Sequence, residues 1–360
     1  MLINIQALRF VAAMLVALYH ASSRLQVDTG PGQILLDFGR ATGYAGVDIF
    51  FVISGFIMAH TTLEKTGRSF TSQFVRRRLA RIFSGYWPFF LFALMVFSWT
   101  RPEHVEESNL LASFFLWPQL LPHTLLEVTW TLSFELYFYF LFALLLLWAP
   151  PRRRAVICLI LALIVMALAA YRYWEMDRFG PSNLWKMPFA EHFLIAPYVA
   201  QFFAGSVLAY MLQRRPKGRG LPWFFVGCAT FIAGGFLNQG YYDGNIEQGY
   251  YVVPRVLVFG SASLMIVWGL VRLEHAGIAA HKGISLLGGG ASYAVYLIHI
   301  PLLSLSWKLG LGSWIDGQHP WVAFAATMAL LSTIAGLAML HYSFIERPLH
   351  RLFKTALNIH

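Results

Sequence analysis

Ten apolar stretches follow one another along this chain. They lie at about residues 5–22, 45–61, 83–99, 127–148, 155–171, 192–212, 221–238, 250–270, 284–306 and 321–342, with short polar connections between them. Most are long enough to cross about 30 Å of hydrocarbon as α-helices. Lipid offers the backbone no hydrogen-bond partner, so each segment must satisfy its own N–H and C=O groups. The expected fold is therefore all-α: a polytopic membrane bundle of about ten transmembrane helices over residues 1–342, with a short cytoplasmic tail at 343–360. The charge content agrees, at 12% of residues where a soluble domain carries about 25%.

A net charge of +10 would suit nucleic-acid binding if the basic residues formed one patch. They sit instead in the connections between apolar stretches, as membrane topology requires, and nucleic acid is set aside as a partner. The connections 62–82, 149–154, 213–220, 271–283 and 343–360 hold 18 Lys and Arg together, and the alternate set holds 7. The positive-inside rule makes the first set cytoplasmic and places both termini inside. Residues 110–122 are apolar but too short to span, which fits an interfacial or re-entrant piece on the outer side. Residues 1–22 also resemble a signal peptide, with an apolar core from Val11 to Tyr19 followed by Ala21-Ser22-Ser23. Retention is the favoured reading, because no basic cluster precedes that core. Cys158 and Cys228 both lie in apolar runs and read as packing residues.

Ionisable residues inside such helices are costly and tend to mark function. Arg9 and His20 share the first stretch, eleven residues apart. At about 100° and 1.5 Å per residue, both face one way, about 16 Å apart along the axis. Asp48 lies near the start of the second stretch, at a depth expected to match that of His20 across the intervening hairpin. A carboxylate beside an imidazole fixes its tautomer and raises its basicity. A purely structural His–Asp pair and a helix-capping Asp remain equally open on these residues.

Thr131, Glu135 and Tyr139 recur every fourth residue and form one polar stripe behind Trp130. Glu135 would lie about 12 Å in from the outer face, where an expensive carboxyl reads as functional and interhelical hydrogen bonding is the alternative. Ser292, Tyr296 and His299 share another helix face. A lone His on such a face is usually a packing residue, so His299 ranks below His20 as a catalyst. Arg76, Arg77, Arg78 and Arg81 form a basic cluster in the connection 62–82. Topological anchoring with lipid headgroup contact is the plain explanation. A clamp for a cytosolic polyanion is the functional one, because guanidinium binds phosphate bidentately. Glu346-Arg347-Pro348 follows the last stretch and is expected to close that surface by ion pairing. No phosphate-binding Gly-x-x-x-x-Gly-Lys, no His-Glu-x-x-His and no Cys-x-x-Cys occurs, so nucleotide-driven pumping and a metal site have no support.

Together these residues resemble acyltransferase family 3, the polytopic membrane O-acyltransferases of bacteria, and most closely the branch that acetylates exopolysaccharides. The match lies in Arg9-x10-His20, Gly46-Val47-Asp48-x-Phe50-Phe51-x-Ile53-Ser54-Gly55-Phe56, Arg76 to Arg81, Trp130-x-Leu132-Ser133-x-Glu135, Tyr296-Leu297-x-His299-x-Pro301 and Glu346-Arg347-Pro348. The resemblance implies a multi-pass protein of the bacterial inner membrane with no permanently bound cofactor. Its donor would be cytosolic acyl-CoA, usually acetyl-CoA, and its acceptor a hydroxyl of an exported polysaccharide or lipid-linked oligosaccharide. On that view His20 is a general base or an acyl relay, oriented by Asp48 or Glu135. Arg9, Arg76, Arg77, Arg78 and Arg81 hold the donor's phosphates, and Trp130, Tyr139, Tyr296 and His299 face the sugar. A flippase or transporter of a lipid-linked sugar or small anion is the alternative from another class, and a polyprenyl-phosphate-dependent glycosyltransferase a third.

Overall fold

The computed structural model describes residues 2–25, 27, 29–179, 193–214, 218–242 and 253–356. The regular structure in these residues is helical, with no strands among them. Nine helices among the described residues are long and apolar enough to cross a membrane. The remaining expected span, the sixth, appears as helix Tyr198–Arg214, which has 17 residues and a length of about 26 Å. Part of the Lys and Arg asymmetry, including Arg215, Lys217 and Lys186, lies outside the described residues.

Two expectations need correction. Residues 30–42 form a helix, Gly30–Thr42, rather than part of a loop, and a 3-10 turn, Gly43–Ala45, joins it to helix Gly46–Thr61. Its three glycines, Asp37 and Arg40 mask the signal in sequence. Tertiary packing overrides them: Leu36 is buried with Leu25, Val27, Ile315 and Ala323. The basic cluster is likewise helical, because helix Arg68–Thr100 runs unbroken for 33 residues. Arg, Leu and Ala are good helix formers, and no Gly or Pro interrupts residues 68–84.

The described chain divides into two compact units. The first comprises Met1–Ile5, Val47–Val75 and Phe134–Ala280. Its helices are α3 (Gly46–Thr61), α7 (Trp130–Trp148), α8 (Pro151–Phe179), α9 (Tyr198–Arg214), α10 (Leu221–Tyr242) and α11 (Val253–His275), with the first turn of α7 and the first residue of α3 assigned to the second unit. Glycine sets the tightest approach. A Cβ at Gly55 of α3 would lie 1.8 Å from the Phe202 carbonyl oxygen, and one at Gly205 of α9 would lie 2.1 Å from that of Val52. The two backbones touch, as small residues allow in membrane bundles. Contacts advance in the same direction along both helices, from Asp48 with Gln201 to Gly55 with Ser206. They are therefore parallel, as the second and sixth spans of an alternating bundle must be. Fully buried Arg154 donates to the Ala149, Thr62 and Lys65 carbonyls at 3.1, 3.0 and 2.8 Å. It thereby satisfies acceptors that the end of α3 leaves open.

The second unit comprises Gln6–Gly46, Arg76–Ser133 and His281–His360. It contains most of α1 (Ile3–Ser22), α2 (Gly30–Thr42), most of α4 (Arg68–Thr100), α5 (Pro102–Glu107) and α6 (Leu110–Phe114). Helices α12 (Lys282–Lys308), α13 (Leu311–Asp316), α14 (Pro320–His341) and α15 (Arg347–Ala356) follow, with a π-helical turn, Tyr342–Glu346, between the last two. The short α5 and α6 are consistent with a segment at 110–122 that does not span. Glycine again brings helices together: Cβ atoms at Gly288 and Gly289 of α12 would lie 3.0 Å from the Phe10 ring and 2.5 Å from Gln6. Farther along the same two helices, His299 meets His20. Helices α1 and α12 therefore run parallel, as first and ninth spans should.

Candidate active site

His20 sits on the last turn of α1, half-buried. Its ring centre lies 5.2 Å from that of His299, with the planes tilted by 37°. On its other side Tyr19 approaches edge-on at 4.9 Å. His299 is fully buried. Its Nδ1 lies 3.1 Å from the Val295 carbonyl, one turn back on α12, and its Nε2 has no hydrogen-bond partner. A carbonyl only accepts, so Nδ1 carries the proton and Nε2 the lone pair. One turn earlier, the Tyr296 hydroxyl accepts from Thr131 at 3.0 Å and donates to the Val128 carbonyl at 3.1 Å. That pair ties α12 to the start of α7, where Trp130 is half-buried.

Arg9 lies three turns back along α1, also half-buried. Toward that end of the second unit, Arg81 of α4 makes a 2.8 Å ion pair with the buried carboxylate of Glu346. Arg9 adds to the positive field on Glu346. Arg81 also lies over the Tyr293 ring at 5.9 Å, and the Tyr293 hydroxyl donates to the Ile82 carbonyl at 3.1 Å. The expected closure by ion pairing at Glu346 is present. On α4, Arg77 and Arg81 share a face by their spacing of four, Arg76 and Arg77 are exposed, and Arg78 is half-buried. Glu346 closes the π-helical turn Tyr342–Glu346, and such turns are frequent at functional sites.

The two carboxylates expected to orient His20 belong to other networks, in the first unit. Asp48 is fully buried. Gln201 donates to its Oδ1 at 2.6 Å, and Arg255 donates to its Oδ2 from Nη2 at 3.0 Å and from Nε at 3.2 Å. Arg255 in turn lies over the Tyr198 ring at 5.3 Å. This is a satisfied internal ion pair, which is how a charge survives at membrane depth. Glu135 is half-buried and accepts from the Tyr139 hydroxyl. Tyr139 itself is buried, with the Phe74 ring edge-on at 6.4 Å.

Sequence reasoning did not single out Gln201 or Arg255. The signal for Arg255 was available: an unaccompanied guanidinium in an apolar stretch demands a buried acid. Thr131 was placed on the right stripe, but its partner Tyr296 lies 165 residues away and only folding reveals it.

The family model for an acyltransferase domain matches this chain over residues 2–340. Among curated proteins, the exopolysaccharide production protein ExoZ of Rhizobium meliloti (strain 1021) is 32% identical over 322 residues, which is 86% of this chain and 90% of that protein. The acyltransferase MdmB of Streptomyces mycarofaciens is 24% identical over 383 residues, covering 97% of this chain and 92% of its own length. No solved structure matches. A match that runs from the first helix to the last turn of α14 and takes in both His20 and His299 leaves one conclusion: the chain belongs to acyltransferase family 3.

Proposed function

We propose that this protein is a bacterial inner-membrane O-acyltransferase. It moves an acyl group, most simply acetyl, from cytosolic acyl-CoA to a hydroxyl of an exported or cell-surface polysaccharide or its lipid-linked precursor. The observation that carries this reading is the layout of α1 within the second unit. One end brings Arg9 toward the Arg81–Glu346 pair, and the other sets His20 against His299. The separation of about 16 Å is comparable to the reach of a phosphopantetheine arm. The exopolysaccharide relative supports the acceptor class.

In this reading Arg76, Arg77, Arg78, Arg81 and Arg9 hold the donor's phosphates, with guanidinium forks suited to them. The thioester carbonyl then lies near His20. His20 accepts the proton of the attacking hydroxyl, the new C–O bond forms and the C–S bond breaks. The departing thiolate takes that proton back and leaves as the thiol, so acyl transfer is balanced without another reactant. Trp130 offers an aromatic face to the sugar, and Tyr296 holds the start of α7 beside it through Thr131 and Val128. Within the first unit, Asp48 holds Arg255 and Glu135 accepts from Tyr139.

The test is transfer itself. Purified protein in liposomes, given labelled acetyl-CoA and surface polysaccharide stripped of its esters by mild alkali, should return labelled polysaccharide. Loss of O-acetyl groups from the surface polysaccharide of a deletion strain is the expected counterpart in cells. No labelled ester in either experiment would exclude this reading and return attention to sugar transport. If protein given acetyl-CoA alone gains an acetyl group on His20, the route is a relay rather than direct transfer.

A further inference from the structure

Among the described residues, His299 is a buried imidazole with one nitrogen unpartnered and a second imidazole beside it. Its Nδ1 is committed to the Val295 carbonyl at 3.1 Å, so Nε2 points its lone pair into a fully buried space without a partner. A buried acceptor left unpaired is destabilising, and native structures rarely keep one without cause. The neighbouring ring is His20, at 5.2 Å between centres. A hydrogen bond between the two rings, at about 2.9–3.0 Å, would require the half-buried His20 ring to turn a nitrogen toward Nε2. The close glycine contacts of Gly288 and Gly289 hold α12 against α1, so this approach is built into the backbone. Neither carboxylate first expected to orient His20 lacks partners of its own: Asp48 accepts from Arg255 and Gln201, and Glu135 from Tyr139.

We propose that His299 is the positioning residue for His20: its Nε2 accepts the N–H of His20, fixing the tautomer that leaves the other His20 nitrogen with a lone pair for the acceptor hydroxyl. His299 receives no proton at any stage. When His20 takes the hydroxyl proton it carries N–H on both nitrogens, one still directed at His299. A neutral acceptor orients the ring as a carboxylate would, without placing a second charge in the membrane. This inference rests on the acyl-transfer reading and deepens it.

Two substitutions separate positioning from packing. The Gln side chain carries its amide to where Nε2 stands and can still accept, whereas the Asn amide reaches only the Nδ1 position and keeps the contact with Val295. Full-length protein in liposomes, with acetyl-CoA and the ester-stripped polysaccharide, gives kcat and KM for each. His299→Asn should lower kcat by about 10²–10⁴-fold with KM for acetyl-CoA unchanged, and His299→Gln should restore kcat to within about tenfold of wild type. If the Asn variant fails to accumulate, the Gln variant decides alone: near-normal kcat supports the role. A folded Gln variant as inactive as His20→Ala overturns it, and so does an Asn variant with wild-type kcat. An inactive wild type would instead overturn the acyl-transfer reading itself, which is a distinguishable failure.

Discussion

At the scale of single residues, His20 and Asp48 carry different burdens. His20 is half-buried and makes no hydrogen bond that holds the fold, so its imidazole is available for chemistry. His20→Ala should leave membrane levels and thermal stability near wild type while abolishing acyl transfer. Substantial residual transfer in the purified variant would make His20 a packing residue. Asp48 is the opposite case, a fully buried anion held by Arg255 and Gln201. Asp48→Ala should destabilise the protein by about 3–5 kcal/mol, because it strands the Arg255 guanidinium without its counter-ion. The double variant with Arg255→Met should recover much of that loss. Melting of both variants in detergent checks the coupling, and a purely additive double variant would mean the pair contributes nothing jointly.

At the scale of elements, helix contacts are set by glycine and the basic cluster by helical phase. A side chain at Gly55 would meet the Phe202 carbonyl oxygen, which belongs to backbone and cannot swing aside. Gly55→Val should therefore push α3 from α9 and separate Asp48 from Gln201. The expected cost is at least the ~1–3 kcal/mol of an overpacked core, seen as a lower melting temperature. Wild-type stability in that variant would refute the backbone contact. On α4, charge and shape can be told apart by exchanging Arg for Lys. Topology needs only positive charge, which Lys supplies. Phosphate clamping needs the planar fork, which Lys lacks. Arg77→Lys with Arg78→Lys should keep insertion and orientation yet weaken acetyl-CoA binding by about 1–3 kcal/mol. Calorimetry on the purified variant measures this, and unchanged affinity would leave the cluster as an anchor.

At the scale of the whole molecule, the question is how the chain threads the bilayer. The parallel pairs α3 with α9 and α1 with α12 have the relative directions that ten alternating spans demand. The 18 to 7 distribution of Lys and Arg predicts the absolute orientation. A reporter fused after Ala356 should be cytoplasmic, and one inserted at Gly317, between α13 and α14, should lie outside. Finding both on one side would break the ten-span topology. The 23–44 connection is a poor place for such a reporter, because Gly30–Thr42 is helical and packed.

Apolar runs, the alternation of basic loops and the cost of charge in lipid are local or statistical properties. For that reason the all-helical bundle, the positions of nearly every span and the presence of ionisable Arg9, His20, Asp48 and Glu135 within apolar helices were legible in the sequence. Helix α2 was not, because its glycines lower local propensity and only burial against residues near 315–323, far along the chain, repays them. The helical course of the Arg76–Arg81 segment was missed for a related reason: charge marks a loop in membrane topology but does not oppose helix formation. Which groups meet was beyond the sequence altogether. Asp48 finds Arg255 across 207 residues, Arg81 finds Glu346, and His20 finds His299. Each of those pairings is decided by close packing at glycines and by helix phase at long range, quantities that exist only once the chain has folded.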